Sequence, residues 1–282
     1  MKKFSISFCL IAVAVFAFSS CKDEKDDMVT LTVGLEDVGN GKAYIDESNY
    51  KPMLVTGDSA YVNNDVFAFN FDNGNVVLQT HHSANNRYRA IFPASIVNTE
   101  LNTEIRNSDT VYVRIPRVQE YDKVGDVQKV NIPMISYPEG YKLWFRNMCS
   151  LVRVNVVNTT SGNITLTNIQ LSNNLTSQSG PGYVYLAGNT HVSVPSPSSD
   201  PVTIVDPIEE NRYVQLNLNG HPDATIASGD SAYYYLIVAP FSGATSGMNI
   251  RVNATTHFND KPLPQVSSLA RNVIAKVRFE FR

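Results

Sequence analysis

VIAKVRFEFR, residues 273–282, alternates apolar and polar side chains with a period of two. If this stretch is a strand, successive side chains point to opposite faces of a sheet, and a slip of one residue would turn every apolar side chain to solvent. The apolar face then consists of Val273, Ala275, Val277, Phe279 and Phe281. The stretch therefore predicts a C-terminal strand, 272–282, that covers a hydrophobic core with one face.

The same alternation occurs near the other end of the chain. In residues 29–35 the apolar face consists of Val29, Leu31, Val33 and Leu35. An apolar strand at the extremity of a domain can complete its own sheet or add to the sheet of a neighbour. We therefore expect these two strands to be the places where the chain pairs with other chains.

Between the two ends, turn residues interrupt stretches of period-two alternation, and helical periodicity is not sustained after residue 28. Asn73-Gly74 between 66–71 and 76–79 predicts a hairpin, because both turn residues tolerate positive φ. Further strands are predicted at 87–92, 111–115, 141–157, 163–171, 213–219, 232–238 and 248–256. The chain is therefore predicted to be all-β, with the many short strands that β-sandwiches use.

Two β-sandwich domains are predicted, at 29–138 and 139–282. A proline-containing stretch precedes the boundary, and a long apolar strand is predicted to begin after it at 141. The serine- and proline-rich segment 193–201 is predicted to be a loop inside the second domain, with an interdomain linker as the alternative.

A signal peptide is predicted at residues 1–20. A basic start is followed by an apolar run over 4–18, which is shorter than the ~20 residues that a membrane-spanning helix needs. Small residues then lead to Cys21, whose position is typical of a lipoprotein cleavage site. The Cys21 thiol would carry a lipid that holds the chain on a membrane. The alternative is an ordinary secretory signal with a chance cysteine.

Residues 21–28 are predicted to be a charged tether between the lipid and the first domain. Lys22-Asp23-Glu24 is similar to the surface-export signal of lipoproteins in Gram-negative anaerobes. This similarity implies a surface-exposed lipoprotein of the outer membrane.

Charge and cysteine usage exclude several classes. The whole chain carries a formal charge of −3, and the signal removes two lysines and no acid, which leaves −5. An acidic chain is a poor partner for nucleic acid. Cys149 is then the one cysteine left free, so no intramolecular disulfide is expected, and its apolar neighbours predict a buried core residue.

Catalytic motifs are absent from the sequence: HExxH, GxSxG, CxxC and GxxxxGK[ST] do not occur. His81-His82 is predicted to lie in a solvated loop. We therefore expect no enzyme, no metal and no cofactor. A secreted hydrolase whose carboxylates converge only in the folded state remains an alternative.

Short segments spread along the chain share a further likeness. They are Tyr88–Ala94 (YRAIFPA), Ile115-Pro116 with Gln119, Pro133-Met134, Phe145–Arg153 (FRNMCSLVR) and Arg271–Ile274 (RNVI). In this order, behind a lipoprotein signal, they resemble the fimbrillin-like proteins, or type V pilins, of Gram-negative anaerobes. The resemblance implies two transthyretin-like β-sandwich domains and assembly with other fimbrillin-like subunits by strand exchange.

One feature departs from that family. In its polymerising members an arginine-specific protease cuts after the first strand, which opens a groove for another subunit's strand. Here the first arginine is Arg87, inside the first predicted domain, and Lys42 is the basic residue soon after the first strand. An uncut chain would be an anchor, an accessory subunit or a stand-alone surface protein, whereas cleavage at Lys42 would give a shaft subunit.

The pentapeptide Gly-Asp-Ser-Ala-Tyr occurs at 57–61 and 229–233, and we interpret it as coincidence or as a shared turn that leads into a strand. Three sites resemble the O-glycosylation motif of the same anaerobes, with Ser59, Thr110 and Ser231 as acceptors.

The sequence thus predicts a structural or adhesive surface lipoprotein of fimbriae, without catalysis. Its expected partners are outer-membrane lipid through Cys21, other subunits, and a host protein or glycan receptor. The alternative is a glycan-binding surface lipoprotein of a polysaccharide-uptake system, which would need a row of exposed aromatic side chains.

Overall fold

The structure is a computed structural model that describes residues 28–36, 54–83, 87–102, 105–124, 127–173, 184–243, 247–263 and 268–282. These residues form strands and single-turn 3-10 segments, and α-helix does not occur among them, which confirms the all-β prediction. The strands in chain order are β1 (Met28–Leu35), β2 (Ser59–Val62), β3 (Asp65–Asp72), β4 (Asn75–His81), β5 (Ala90–Phe92), β6 (Thr110–Ile115), β7 (Val118–Glu120), β8 (Lys123–Val124), β9 (Val127–Gln128), β10 (Met134–Glu139), β11 (Lys142–Asn147), β12 (Ser150–Asn158), β13 (Ile164–Asn173), β14 (Gly188–Ser193), β15 (Thr203–Val205), β16 (Tyr213–Asn217), β17 (Thr225–Ile226), β18 (Ser231–Val238), β19 (Phe241–Ser242), β20 (Met248–Ala254), β21 (Phe258–Pro262), β22 (Ser268–Leu269) and β23 (Ile274–Phe281).

The first half of the chain closes into a seven-stranded barrel with the order β1-β11-β10-β5-β2-β3-β4. The predicted hairpin forms between β3 and β4, where Asn73 and Gly74 have φ values of 48° and 81°. Positive φ at both positions is the conformation that favours Asn-Gly in such turns. The barrel closes because β1, the first strand in sequence, lies between β4 and β11.

The second half, with β7 from the first half, is a sandwich of two sheets. One has the order β18-β12-β23, and the other has the order β21-β20-β13-β16-β7, with β17 also paired to β13. Their inward residues, such as Val154 and Ile250, belong to the same hydrophobic cluster as the barrel interior. The two halves therefore share a continuous core.

A smaller sheet with the order β15-β14-β6 joins the halves, because β6 comes from the first half and β14 and β15 come from the second. The loop between β14 and β15 contains residues 194–202, so the serine- and proline-rich segment connects neighbouring strands of one sheet, as the loop prediction requires.

One strand prediction needs correction. The stretch 141–157 forms two strands, because the chain leaves the barrel after β11 and enters the sandwich with β12. The hairpin of β10 and β11 also spans the boundary predicted between residues 138 and 139. The chain leaves the barrel for the last time after Asn147, although β7 already pairs with the sandwich strand β16.

Candidate functional site

The slot that β1 occupies is the candidate functional site. β1 pairs antiparallel with β4 from Met28 to Thr32 and parallel with β11 from Thr32 to Leu35. The Thr32 amide donates to the Tyr141 carbonyl at 2.9 Å, and the Glu36 amide donates to the Phe145 carbonyl at 2.8 Å. Because β1 is hydrogen-bonded on both edges, its removal would leave a strand-shaped slot between β4 and β11.

The inward face of β1 fills the barrel. Leu31 is completely buried, and Val29, Val33 and Leu35 are partly buried and pack against the core. This is the face that the alternation predicts. A strand that replaced β1 would have to supply apolar side chains at these positions.

The outward face of β1 carries a close contact at Gly34, which pairs with Trp144 on β11. A Cβ atom on Gly34 would lie 2.7 Å from Trp144 Cζ3 and 2.6 Å from Lys142 Cε. Lys142 Nζ in turn lies 4.3 Å from the centre of the Trp144 ring. The indole and the lysine therefore cover the backbone of β1 at the one position where it has no side chain.

An ion pair ties the end of β1 to the segment before β23. Arg271 Nη1 and Nη2 donate to the two Glu36 carboxylate oxygens at 2.8 and 2.9 Å. The Asn147 amide also donates to Glu36 Oε2 at 3.1 Å. Because both charged side chains are largely buried, this bidentate pair is stronger than a pair on an open surface.

Asp200 extends this network to the loop after β14. Its carboxylate accepts from Arg271 Nη2 and from Arg146 Nη1, each at 2.5 Å. The hydrogen bond from Arg271, with the positive charges of both arginines, holds the pKa of Asp200 below its usual value. The network thus connects β1, β11, the loop before β15 and the start of β23.

β23 is an edge strand that pairs parallel with β12 along its whole length. On its inward face Phe279 and Phe281 are buried, and Ala275 and Val277 are partly buried. Val273 lies just before the strand and is 38% exposed. The predicted apolar face therefore packs on the core from residue 275 onward.

Side chains from β21 cover the other edge of β23. Lys261 Nζ donates to the Arg278 carbonyl at 2.7 Å, and Asn259 Nδ2 donates to the Arg282 carbonyl at 3.0 Å. Blocking an edge with a lysine is one way in which proteins prevent unwanted strand pairing. β23 therefore pairs with a strand on one edge only and with side chains on the other, whereas β1 pairs with a strand on both edges.

Comparison with known proteins gives structural likenesses. No family model and no curated protein matches the chain. The fold is similar to a candidate cell adhesion protein from Bacteroides ovatus, with 11% identity, a TM-score of 0.49 and coverage of 89% of this chain and 93% of that chain. A candidate cell adhesion protein from Bacteroides uniformis has 11% identity, a TM-score of 0.46 and coverage of 91% and 94%. The C-terminally truncated tip fimbrial protein Mfa3 from Porphyromonas gingivalis has 12% identity, a TM-score of 0.28 and coverage of 88% and 92%.

These descriptions name the class of surface protein that the sequence resembles. Because every TM-score is below 0.5 and identity is near 11%, no property of those proteins is transferred to this chain.

Two predicted sites, Cys21 and Lys42, lie outside the described residues, as do the signal peptide 1–20 and residues 21–27 of the tether. Among the residues that the structure does describe, no helix has the length and apolar character needed to cross a membrane.

The three predicted glycosylation acceptors each begin a strand. Thr110 and Ser231 are exposed, and Ser59 is half-buried. Both copies of Gly-Asp-Ser-Ala-Tyr form the same turn, with a positive φ at Gly57 and Gly229. The repeat therefore reflects a shared turn that leads into a strand.

Chemically reactive groups in the described part of the chain are scattered or buried. Cys149 is buried, and burial raises the pKa of its thiol, so it behaves as a core residue. No group of three or more His, Cys, Asp or Glu side chains able to hold a metal occurs in the described ranges.

A cleft of about 570 Å³ between barrel and sandwich is lined by the carboxylates Glu120 and Asp122. Both already accept hydrogen bonds, Glu120 from Asn217 and Asp122 from the Lys123 amide.

The most exposed aromatic residues of the described ranges are Phe71, Tyr141, Tyr233 and Phe258. None of them pairs with another across neighbouring strands, so they do not form a row.

The alternation identifies the inward residues of β1 but does not identify Gly34, Trp144, Glu36 or Arg271 as parts of the site. One signal was present, because an isolated glycine inside a predicted strand marks a close approach of another group. The identity of that group, the only tryptophan of the chain, required the structure.

Proposed function

We propose that this protein is a non-enzymatic, lipid-anchored surface protein that joins fimbria-like assemblies by exchanging the strand in the β1 slot. One observation carries the proposal: β1 is the first described strand, yet it lies between two others and completes a closed barrel. An incoming strand in its place would satisfy the same backbone donors and acceptors on β4 and β11.

The energetics favour a slot that is always filled. Full burial of an aliphatic side chain contributes about 1.5–3 kcal/mol, and Leu31 is fully buried while three further apolar residues are partly buried. That contribution is comparable with the 5–15 kcal/mol that stabilises a typical domain. An empty slot would therefore be short-lived, and β1 would leave only as another strand enters.

Anchoring through Cys21 completes the proposal. A lipid on Cys21 and a short charged tether would place β1 close to the membrane surface, where β1 leaves the slot only when a strand of another subunit displaces it. In that form the protein acts as an anchor or accessory subunit. Cleavage at Lys42 would separate β1 from the rest of the chain and give a subunit that accepts a strand from a neighbour.

A photo-crosslinking residue at Gln79 tests strand exchange in the cells that express the protein. Gln79 pairs with Thr30 and is exposed, so a crosslinker there reports which strand fills the slot. We expect products in which Gln79 is joined to a strand of another chain. The matched control is Val66, an exposed residue on β3, which is separated from β1 by β4 and should give no such product. Crosslinks from Gln79 only to β1 of the same chain would contradict the proposal.

Lipidation is tested separately. Metabolic labelling with a fatty acid should mark the wild-type protein and not the Cys21→Ser variant. Labelling that survives this substitution, or a mature protein that begins elsewhere without lipid, would refute the anchor.

A further inference from the structure

We propose that Trp144 restricts the β1 slot to strands that carry glycine at the position of Gly34, and that the chain's own C-terminal strand is thereby excluded. The inference rests on the proposed strand exchange. It names the partner as a glycine-bearing strand of a different subunit rather than β23 of a second copy.

The restriction comes from the packing of the indole. Trp144 lies on the outer face of β11, opposite Gly34 on one side and Tyr137 of β10 on the other. Lys142 stacks on the ring, and the guanidinium of Arg146 lies 5.2 Å from the centre of the Tyr137 ring. The strand pairing and the stacked Lys142 thus place the indole above the backbone of β1.

A side chain at position 34 would collide with this arrangement. A Cβ atom there would lie within 2.7 Å of two carbon atoms of the Trp144 ring and of Lys142 Cε. The lysine can move, because its terminal carbons are flexible, but the indole ring is rigid and already carries the lysine stacked on it. Forcing extra atoms into a packed site displaces its neighbours, so every residue larger than glycine should be disfavoured.

The C-terminal strand fails this requirement. If β23 entered the slot with its apolar face inward, its outward residues would be Lys276, Arg278 and Glu280. Whichever of these residues lay at the position of Gly34 would place a Cβ atom and a long side chain against the indole. The chain has no glycine after Gly247, so no other register of the C-terminal strand avoids the collision.

The consequence concerns assembly. A second copy cannot offer its last strand to this slot while Trp144 remains in place, so the chain does not extend a homopolymer through β23. Two kinds of strand fit: β1 itself, and a strand of another subunit with the same apolar alternation and a glycine at the matching outward position.

Peptide competition tests the restriction on the full mature chain. One protease site engineered between residues 37 and 53 allows the chain to be nicked, so that β1 stays bound without a covalent link. Three peptides then compete with β1: residues 28–36, the same peptide with Gly34→Val, and residues 273–282. We expect the first to exchange and the other two to bind at least about tenfold more weakly, a difference of about 1.4 kcal/mol.

The Trp144→Ala chain is the matched control. Without the indole, the Gly34→Val peptide should bind within about threefold of the native peptide. The difference in binding free energy between the two peptides would then be smaller by about 0.7 kcal/mol or more than on the wild-type chain. If Trp144→Ala folds poorly, Trp144→Val gives the same test, because valine favours strands and also lacks the ring.

The outcomes separate the two proposals. Failure of the native peptide to exchange refutes strand exchange and this inference with it. Equal binding of the native and Gly34→Val peptides to the wild-type chain refutes only the restriction, as does a difference that persists without the indole.

Discussion

Replacing Leu31 by alanine measures how much β1 contributes to the closed barrel. Leu31 is completely buried, and its neighbours on the inward face also contact the core. Truncating a buried leucine to alanine removes apolar contact and leaves a cavity, at a cost of about 2–5 kcal/mol. Because a typical domain is stabilised by only 5–15 kcal/mol, Leu31→Ala should cost a large share of the barrel's stability.

Thr30→Ala is the matched control, since Thr30 is the preceding residue of the same strand and its side chain is exposed. Exposed substitutions of this kind usually change stability by less than about 0.5 kcal/mol. The free energy of unfolding of the two variants should therefore differ by at least about 1.5 kcal/mol.

Urea unfolding followed by tryptophan fluorescence is the assay. Trp144 is the only tryptophan, and it pairs with Gly34 of β1, so its emission reports the slot directly. The Leu31→Ala midpoint should move to lower urea while Thr30→Ala stays with the wild type. Equal midpoints for the two variants would show that β1 does not fill the barrel.

Three further predictions concern the groups around the two terminal strands. Glu36→Gln and Arg271→Met should show a coupling energy of about 0.5–3 kcal/mol in a double-mutant cycle of unfolding. The control Glu280→Gln, on the exposed face of β23, should change the free energy of unfolding little. Additive effects of Glu36→Gln and Arg271→Met would contradict the ion-pair geometry. The pKa of Asp200 is lowered in the folded state, so its contribution to stability is present above about pH 4, the unfolded pKa, and is lost as pH falls further. The free energy of unfolding should therefore decrease less below about pH 4 in Asp200→Asn than in the wild type. An unchanged slope of unfolding free energy against pH would refute this linkage. In a form that starts after residue 21, a thiol reagent should label Cys149 only at the rate of unfolding, and rapid labelling of the native protein would contradict its burial.

Local chemistry explains the parts of the fold that the sequence predicts well. Asn73-Gly74 specifies a hairpin because both residues adopt positive φ, and the turn forms at that place. The alternation in β1 and β23 identifies their buried faces because side chains alternate across a strand. These signals depend only on neighbouring residues.

Long-range pairing explains what the sequence does not predict. Strand β1 lies parallel to β11, more than a hundred residues later, and nothing local in either strand encodes that choice. The apolar pattern of 141–157 is continuous, yet the chain passes from barrel to sandwich between Asn147 and Ser150 because the two parts face different sheets. The pairing of Glu36 with Arg271 depends on both of these arrangements.

A disulfide that locks β1 in its slot tests the central claim most directly. Thr30 and Gln79 face each other across β1 and β4, and both side chains are exposed. The Thr32 amide bonds to β11, so Thr30, which has the same orientation, forms a non-hydrogen-bonded pair with Gln79. The Cα atoms of such a pair lie about 4.5 Å apart, within the range that a disulfide spans.

The Thr30→Cys, Gln79→Cys chain should reach the cell surface in normal amounts but form no complexes that survive SDS gel electrophoresis without heating. Reduction of the disulfide should restore these complexes. The variants with only Thr30→Cys or only Gln79→Cys are the controls and should assemble as the wild type does. If the oxidised, locked chain forms the same complexes as the wild type, strand exchange at β1 does not hold the assembly together.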